Sequence, residues 1–91
     1  MNAVTERYLD VRGLEPPEPL ERALDALSGM PRGEYLRMCH HREPHLLYPM
    51  LVRDGFEFRS RARPDRFDVV IWHRGDHITQ RAALQALSAD A

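Results

Sequence analysis

The sequence predicts a two-layer α/β (α+β) sandwich, a mixed four-stranded sheet with two helices on one face, followed by a C-terminal helical extension. Three observations carry this prediction. Short stretches of period-2 alternation recur along the chain; two stretches between them carry apolar residues at helical spacing; and prolines and glycines punctuate the joins. Domain boundaries follow at 1–75 for the sandwich and 76–91 for the extension.

The elements justify themselves in order. Residues 1–5 are expected to fray, after which Tyr8, Leu9, Asp10 and Val11 alternate as a half-buried strand, with Leu9 and Val11 on one face. Gly13 permits a turn. Pro16, Pro17 and Pro19 break a strand but suit a first helical turn, where backbone N–H groups have no intrahelical acceptor. A helix therefore starts within this run. Its stripe is Leu20, Ala23, Leu24 and Leu27, and Glu18 and Glu21 sit near the positive end of its dipole.

Gly29, Pro31 and Gly33 end that helix, and residues 35–41 alternate as a second strand. Leu36, Met38 and His40 are read as its core side, against Tyr35, Arg37, Cys39 and His41. Pro44 opens a second helix with Leu46, Leu47, Met50 and Leu51 on a broad apolar face, ending at Gly55. Pro49 removes a donor inside it, so a kink or an offset first turn is expected. Residues 56–63 and 67–73 form a hairpin through a four-residue loop, 63–66, because proline is incompatible with a primed two-residue turn. The parity pairs Ala62 with Phe67, Phe58 with Ile71 and Arg61 with Asp68. Asp76 caps a last helix running to about Ser88, loosely striped by Ile78, Ala83, Leu84 and Leu87.

Composition bounds the function. Ninety-one residues with 43% apolar content suit one small core. A net charge of −1 supplies no excess positive charge for phosphate, which argues against bulk nucleic-acid binding. All 13 basic residues are arginine, which fits a compositional bias as well as bidentate anion contacts. No stretch approaches the ~20 apolar residues of a membrane span, no signal-like leader is visible, and the single Cys39 excludes an internal disulfide framework. These features predict a soluble cytoplasmic protein.

Leu9-Asp10, Gly13-Leu14 and Pro17-Glu18-Pro19 resemble the N-terminal signature of the TusA/SirA sulfur-carrier family, and the element order extends the resemblance over about residues 8–74. More closely, Leu-Asp-Val-Arg-Gly-Leu-Glu-Pro-Pro-Glu-Pro and the His-Arg-Glu-Pro at 41–44 look like a bacterial domain of unknown function related to that family. In sulfur carriers the residue before Pro17 is the persulfide-bearing cysteine. Here it is Pro16, which has no nucleophile, so the resemblance carries the scaffold without its reagent.

The remaining chemistry has three candidates. Cys39, flanked by Arg37, His40 and His41, is the candidate redox or sulfur-relay thiol, weighed against the preferred reading of an inert small hydrophobe. Cys39, His41 and His45 are the candidate metal or haem ligands, with His40 and His73 nearby in type; the bland alternative is that His41 holds a strand-to-helix turn. Arg59, Arg61 and Arg63 line the helix-free sheet face as a solvated surface, on which Val70 and Trp72 suggest a partner surface, a homodimer contact or a resting place for the last helix. The conclusion from sequence is a non-enzymatic binding or interaction module with no cofactor. Its ligand or partner surface comprises Arg12, Pro16, Pro17, His41, Arg42, Glu43 and Trp72, and the resemblance associates it with bacterial redox, sulfur or nitrogen-oxide metabolism.

Overall fold

The structure is a computed structural model that describes residues 3–89. Its elements are β1 (Thr5–Asp10), α1 (Glu18–Leu27), β2 (Glu34–His40), α2 (Leu47–Arg53), β3 (Phe56–Ala62), β4 (Phe67–His73) and α3 (His77–Ser88). The sheet order is β1-β2-β4-β3. β1 and β2 are parallel, as a strand-helix-strand crossover requires, and the other two pairs are antiparallel. The predicted mixed sheet is therefore present, with α1 and α2 on one face.

The hairpin has the register that alternation predicts. Ala62 pairs with Phe67, Phe58 with Ile71 and Arg61 with Asp68, and Arg63 N–H closes the loop on Arg66 O at 2.7 Å. Because the register is right, the faces are right. Leu36, Met38, Val69 and Ile71 meet Ala23, Leu27, Leu47 and Leu51 in the main core. Tyr35, Val70 and Trp72 point the other way and meet Ala83 and Leu87 of α3.

That second contact decides between the alternatives for this face: it is the resting place of the last helix, not an open partner surface. The sheet face opposite α1 and α2 is not open, since α3 lies across it and Trp72 is 2% exposed. Trp72 is thus a packing residue rather than part of a ligand or partner surface, and a homodimer through this face requires α3 to leave. Asp76 ties the helix down at its start. Its carboxylate accepts from Thr79 N–H at 3.3 Å, Thr79 Oγ1 at 2.7 Å and Gly33 N–H at 2.8 Å. At the other end, Arg61 and Arg63 donate to the last carbonyls of α3, so these arginines cap a helix instead of facing solvent.

Three local expectations also shift. Thr5 already pairs with Glu34, because a parallel partner stabilises the strand start; the rest of the expected frayed segment at residues 1 and 2 lies outside the described residues, as do residues 90 and 91 of the extension. α2 begins at Leu47 rather than Pro44, which leaves Leu46 82% exposed and places Pro49 in the first helical turn, where its missing N–H costs no helical bond. On α3 the buried stripe is Thr79, Ala83 and Leu87, spaced by four, and Ile78 falls outside it.

Candidate functional site

The site forms where two chain reversals meet above the main core. One is the prolyl turn entering α1, in which the Pro16–Pro17 bond is cis, Pro17 is the N-cap and Pro19 lies in the first helical turn. The other is the segment leaving β2 for α2. Between them lies a cleft of about 330 Å³ lined on its apolar side by Pro16, Pro17, Leu20, Met38 and Leu47, and on its polar side by His40, His41, Arg42, Glu43 and His45. Five of the seven residues expected to form the binding surface therefore share one cleft: Pro16, Pro17, His41, Arg42 and Glu43.

Glu43 is locked from behind. Its Oε2 accepts from Ser60 Oγ at 2.8 Å and from Tyr48 Oη at 3.0 Å, and His45 Nε2 stands 3.7 Å from Oε1. Those two hydroxyl bonds hold the carboxyl below the ordinary carboxylate range. Tyr48 stacks on Phe58 with ring centroids 4.2 Å apart, and burial pushes its hydroxyl up to about 12. This set holds the segment 43–48 against β3, fixing one wall of the cleft.

His40 supplies the other wall's polar atom. The residue is 6% exposed, its Nδ1 accepts from Arg42 N–H at 3.1 Å, and its ring tilts against that of His41 with centroids 4.7 Å apart. Burial, then the neighbouring His41 and Arg42, hold its basicity below that of a free imidazole. Sequence reasoning placed His40 on the core side of β2 and weighed it for metal and as a neighbour of the Cys39 thiol. The signal for its present role was its position: a core-facing polar residue at a strand's last position, beside a turn.

Two expected members are not brought to the cleft. Arg12 is held by Asp10 in a fork, Nε to Oδ1 at 3.0 Å and Nη2 to Oδ2 at 2.9 Å, which holds the Asp10 carboxyl at about 2. Trp72 lies beneath α3.

The metal grouping fails on the same alternation. Cys39 alternates along β2 with Met38 and His40, which line the cleft, and its neighbours are Tyr8, Arg12 and Asp68. Among the described residues no three His, Cys, Asp or Glu side chains are grouped to hold a metal ion, so Cys39, His41 and His45 do not converge. Cys39 is 1% exposed, and burial pushes its thiol up despite the nearby Arg12 guanidinium. As folded it is a packing thiol, which opposes a relay role.

No curated protein and no solved structure matches the chain. Residues 8–74 match the family DUF2249, described as an uncharacterized conserved protein. The matched region runs from β1 to the end of β4 and contains the whole cleft, while α3 lies beyond it. With three quarters of its length so matched, the chain belongs to the DUF2249 family.

Proposed function

We propose that the protein is a non-enzymatic binding module that takes a small ligand in the cleft between the prolyl turn and the β2–α2 segment. The observation that carries this reading is the convergence of Pro16, Pro17, His41, Arg42 and Glu43 on one cavity. Its volume lies at the small end of the roughly 300–1,000 Å³ range of small-molecule sites, and its walls combine apolar surface with a few fixed polar groups, as such sites do. The reading assigns no catalytic residue. Its scaffold resembles that of the TusA/SirA sulfur carriers in element order, with Pro16 standing where they carry a nucleophile. A cytoplasmic, bacterial role in redox, sulfur or nitrogen-oxide metabolism is the accompanying proposal, resting on that resemblance alone.

The test is a set of amide correlation spectra of the full chain, titrated with a panel of small neutral, cationic and anionic organic molecules. At least one member is expected to shift the amides of Leu20 and residues 40–47, and Leu20→Trp, which fills the cleft, is expected to suppress the shift. A panel that leaves these amides unmoved, or shifts that survive Leu20→Trp, rejects the reading.

A further inference from the structure

The polar wall of the cleft has a definite sense. In a neutral imidazole one nitrogen accepts and the other carries the proton. Because His40 Nδ1 accepts from Arg42 N–H, the proton belongs on Nε2. Among the described residues nothing accepts from Nε2, although the residue is more than nine-tenths buried and its open part lines the cleft. The atom is not sealed from solvent, so water accepts from it until an occupant of the cleft takes its place.

The neighbouring groups have the same polarity. The Arg42 guanidinium makes no hydrogen bond or ion pair among the described residues, and Arg42 is an exposed residue of the cleft lining. The one carboxylate in the lining, Glu43, is turned to Ser60, Tyr48 and His45. The cleft therefore offers donors and a cation to an occupant, and apolar surface to the rest of it.

We infer that the cleft takes a small organic monocarboxylate with an apolar body, its carboxylate accepting from His40 Nε2–H and the Arg42 guanidinium and its body resting on Pro16, Pro17, Leu20 and Met38. A cationic ligand would meet Arg42 and leave the Nε2 proton unpaired. A dianionic phosphate would bring two charges to a single guanidinium over an apolar floor, where the cost of desolvation rises steeply. A neutral apolar ligand would leave both donors without acceptors. The inference rests on the cleft being the binding site.

Benzoate, benzyl alcohol and benzylamine separate these cases with one ring and three head groups. Titrated into the full chain and followed by the amides of Leu20 and residues 40–47, benzoate is expected to bind at least about tenfold more tightly than either analogue. Arg42→Gln changes an exposed side chain, so the fold is retained, and it is expected to remove most of that preference. His40→Gln tests the second donor, with unchanged amide dispersion elsewhere as the check on folding. Equal binding of benzoate and benzyl alcohol, or a preference that survives Arg42→Gln, overturns the carboxylate assignment and leaves the cleft standing as a binding site. If benzoate and every member of the wider panel leave the cleft amides unmoved, the binding reading falls as well.

Discussion

Arg63 reaches the buried carboxylate of Asp68 with Nε at 2.8 Å from Oδ2, and the same guanidinium extends Nη2 to the carbonyls of Leu87 and Ala89 at 3.1 and 3.2 Å. One side chain thus joins β4 to the end of α3. Arg66 completes the site with Nε at 3.1 Å from Oδ1, so both oxygens of a carboxylate that has almost no water are in use. Asp68→Ala is expected to lower stability by about 3 kcal/mol, because it strands the largely buried Arg63 charge. Arg66→Ala is expected to cost less, since Arg63 still holds the carboxylate. Urea denaturation of both variants checks the order; equal losses would mean that Arg63 alone does not hold the buried carboxylate once Arg66 is gone.

The same groups set how stability depends on pH. Burial pushes the Asp68 carboxyl up, but the bonds from Arg63 and Arg66 outweigh it and hold the group below its ordinary 3.8; Asp76 is held below 3.8 chiefly by Thr79, and Glu43 below 4.5 by Ser60 and Tyr48. Each has a depressed folded pKa, so its contribution is present above the unfolded value and is lost as pH falls through the folded one. His40 acts in the same direction. Burial lowers it from 6.5, so between that value and its folded one the unfolded chain binds the extra proton and the native state loses ground. The urea midpoint is expected to fall in two stages, a shallow loss that sets in as pH drops below about 6.5 and a steeper one below about pH 4. His40→Gln should flatten the first stage and leave the second.

Cys39 shows what burial does to a thiol that sequence alone leaves as a redox candidate. It is 1% exposed and its pKa is raised, so both the access and the thiolate that maleimide needs are withdrawn. Labelling of the native chain is expected to run roughly two orders of magnitude slower than that of a free model thiol, and to reach the model rate in urea. A native rate equal to that of the model thiol would restore Cys39 as a reactive centre.

The hairpin register was legible because side-chain alternation in a strand has a period of two, and a slip of one residue would have turned Glu57 and Arg59 toward the main core in place of Phe56 and Phe58. Asp76 was legible as a cap by its type and place. The start of α2 was not, since Leu46, Leu47, Met50 and Leu51 fit a helical face whether the helix begins at Pro44 or Leu47; the hydroxyls of Tyr48 and Ser60 that hold Glu43 come from two different elements. For Trp72, parity assigned the face correctly but left open what lay on it. That depends on whether residues 76–88 reach back across the sheet, which the Asp76 bond to Gly33 and the Arg61 and Arg63 bonds to the helix end decide. The cleft was partly legible, through its prolines and the 41–43 segment, whereas His40 became a cleft residue only once Arg42 N–H fixed its ring.

Trp72 carries a cost of the docked helix. Its Nε1 is a buried donor with no acceptor among the described residues, a penalty of roughly 1–3 kcal/mol that exists only while α3 is docked. The face of α3 that covers it is small-sided, with Ala83 and Leu87 buried and Ala82 and Ala86 beside them. The helix also lies beyond residues 8–74, the part of the chain that matches its family. Ending the chain at residue 75 should therefore leave a folded sheet with Tyr35, Val70 and Trp72 uncovered, an apolar face that water does not favour. The truncated chain is expected to show red-shifted tryptophan emission at low concentration. At higher concentration it should self-associate in sedimentation velocity, with the emission returning to the blue as the face is covered by a second copy. Ala83→Glu in the full chain places a charge in the same contact and should reproduce the behaviour in part. A truncated chain that stays monomeric with unshifted emission would show that the sheet keeps Trp72 from water without α3.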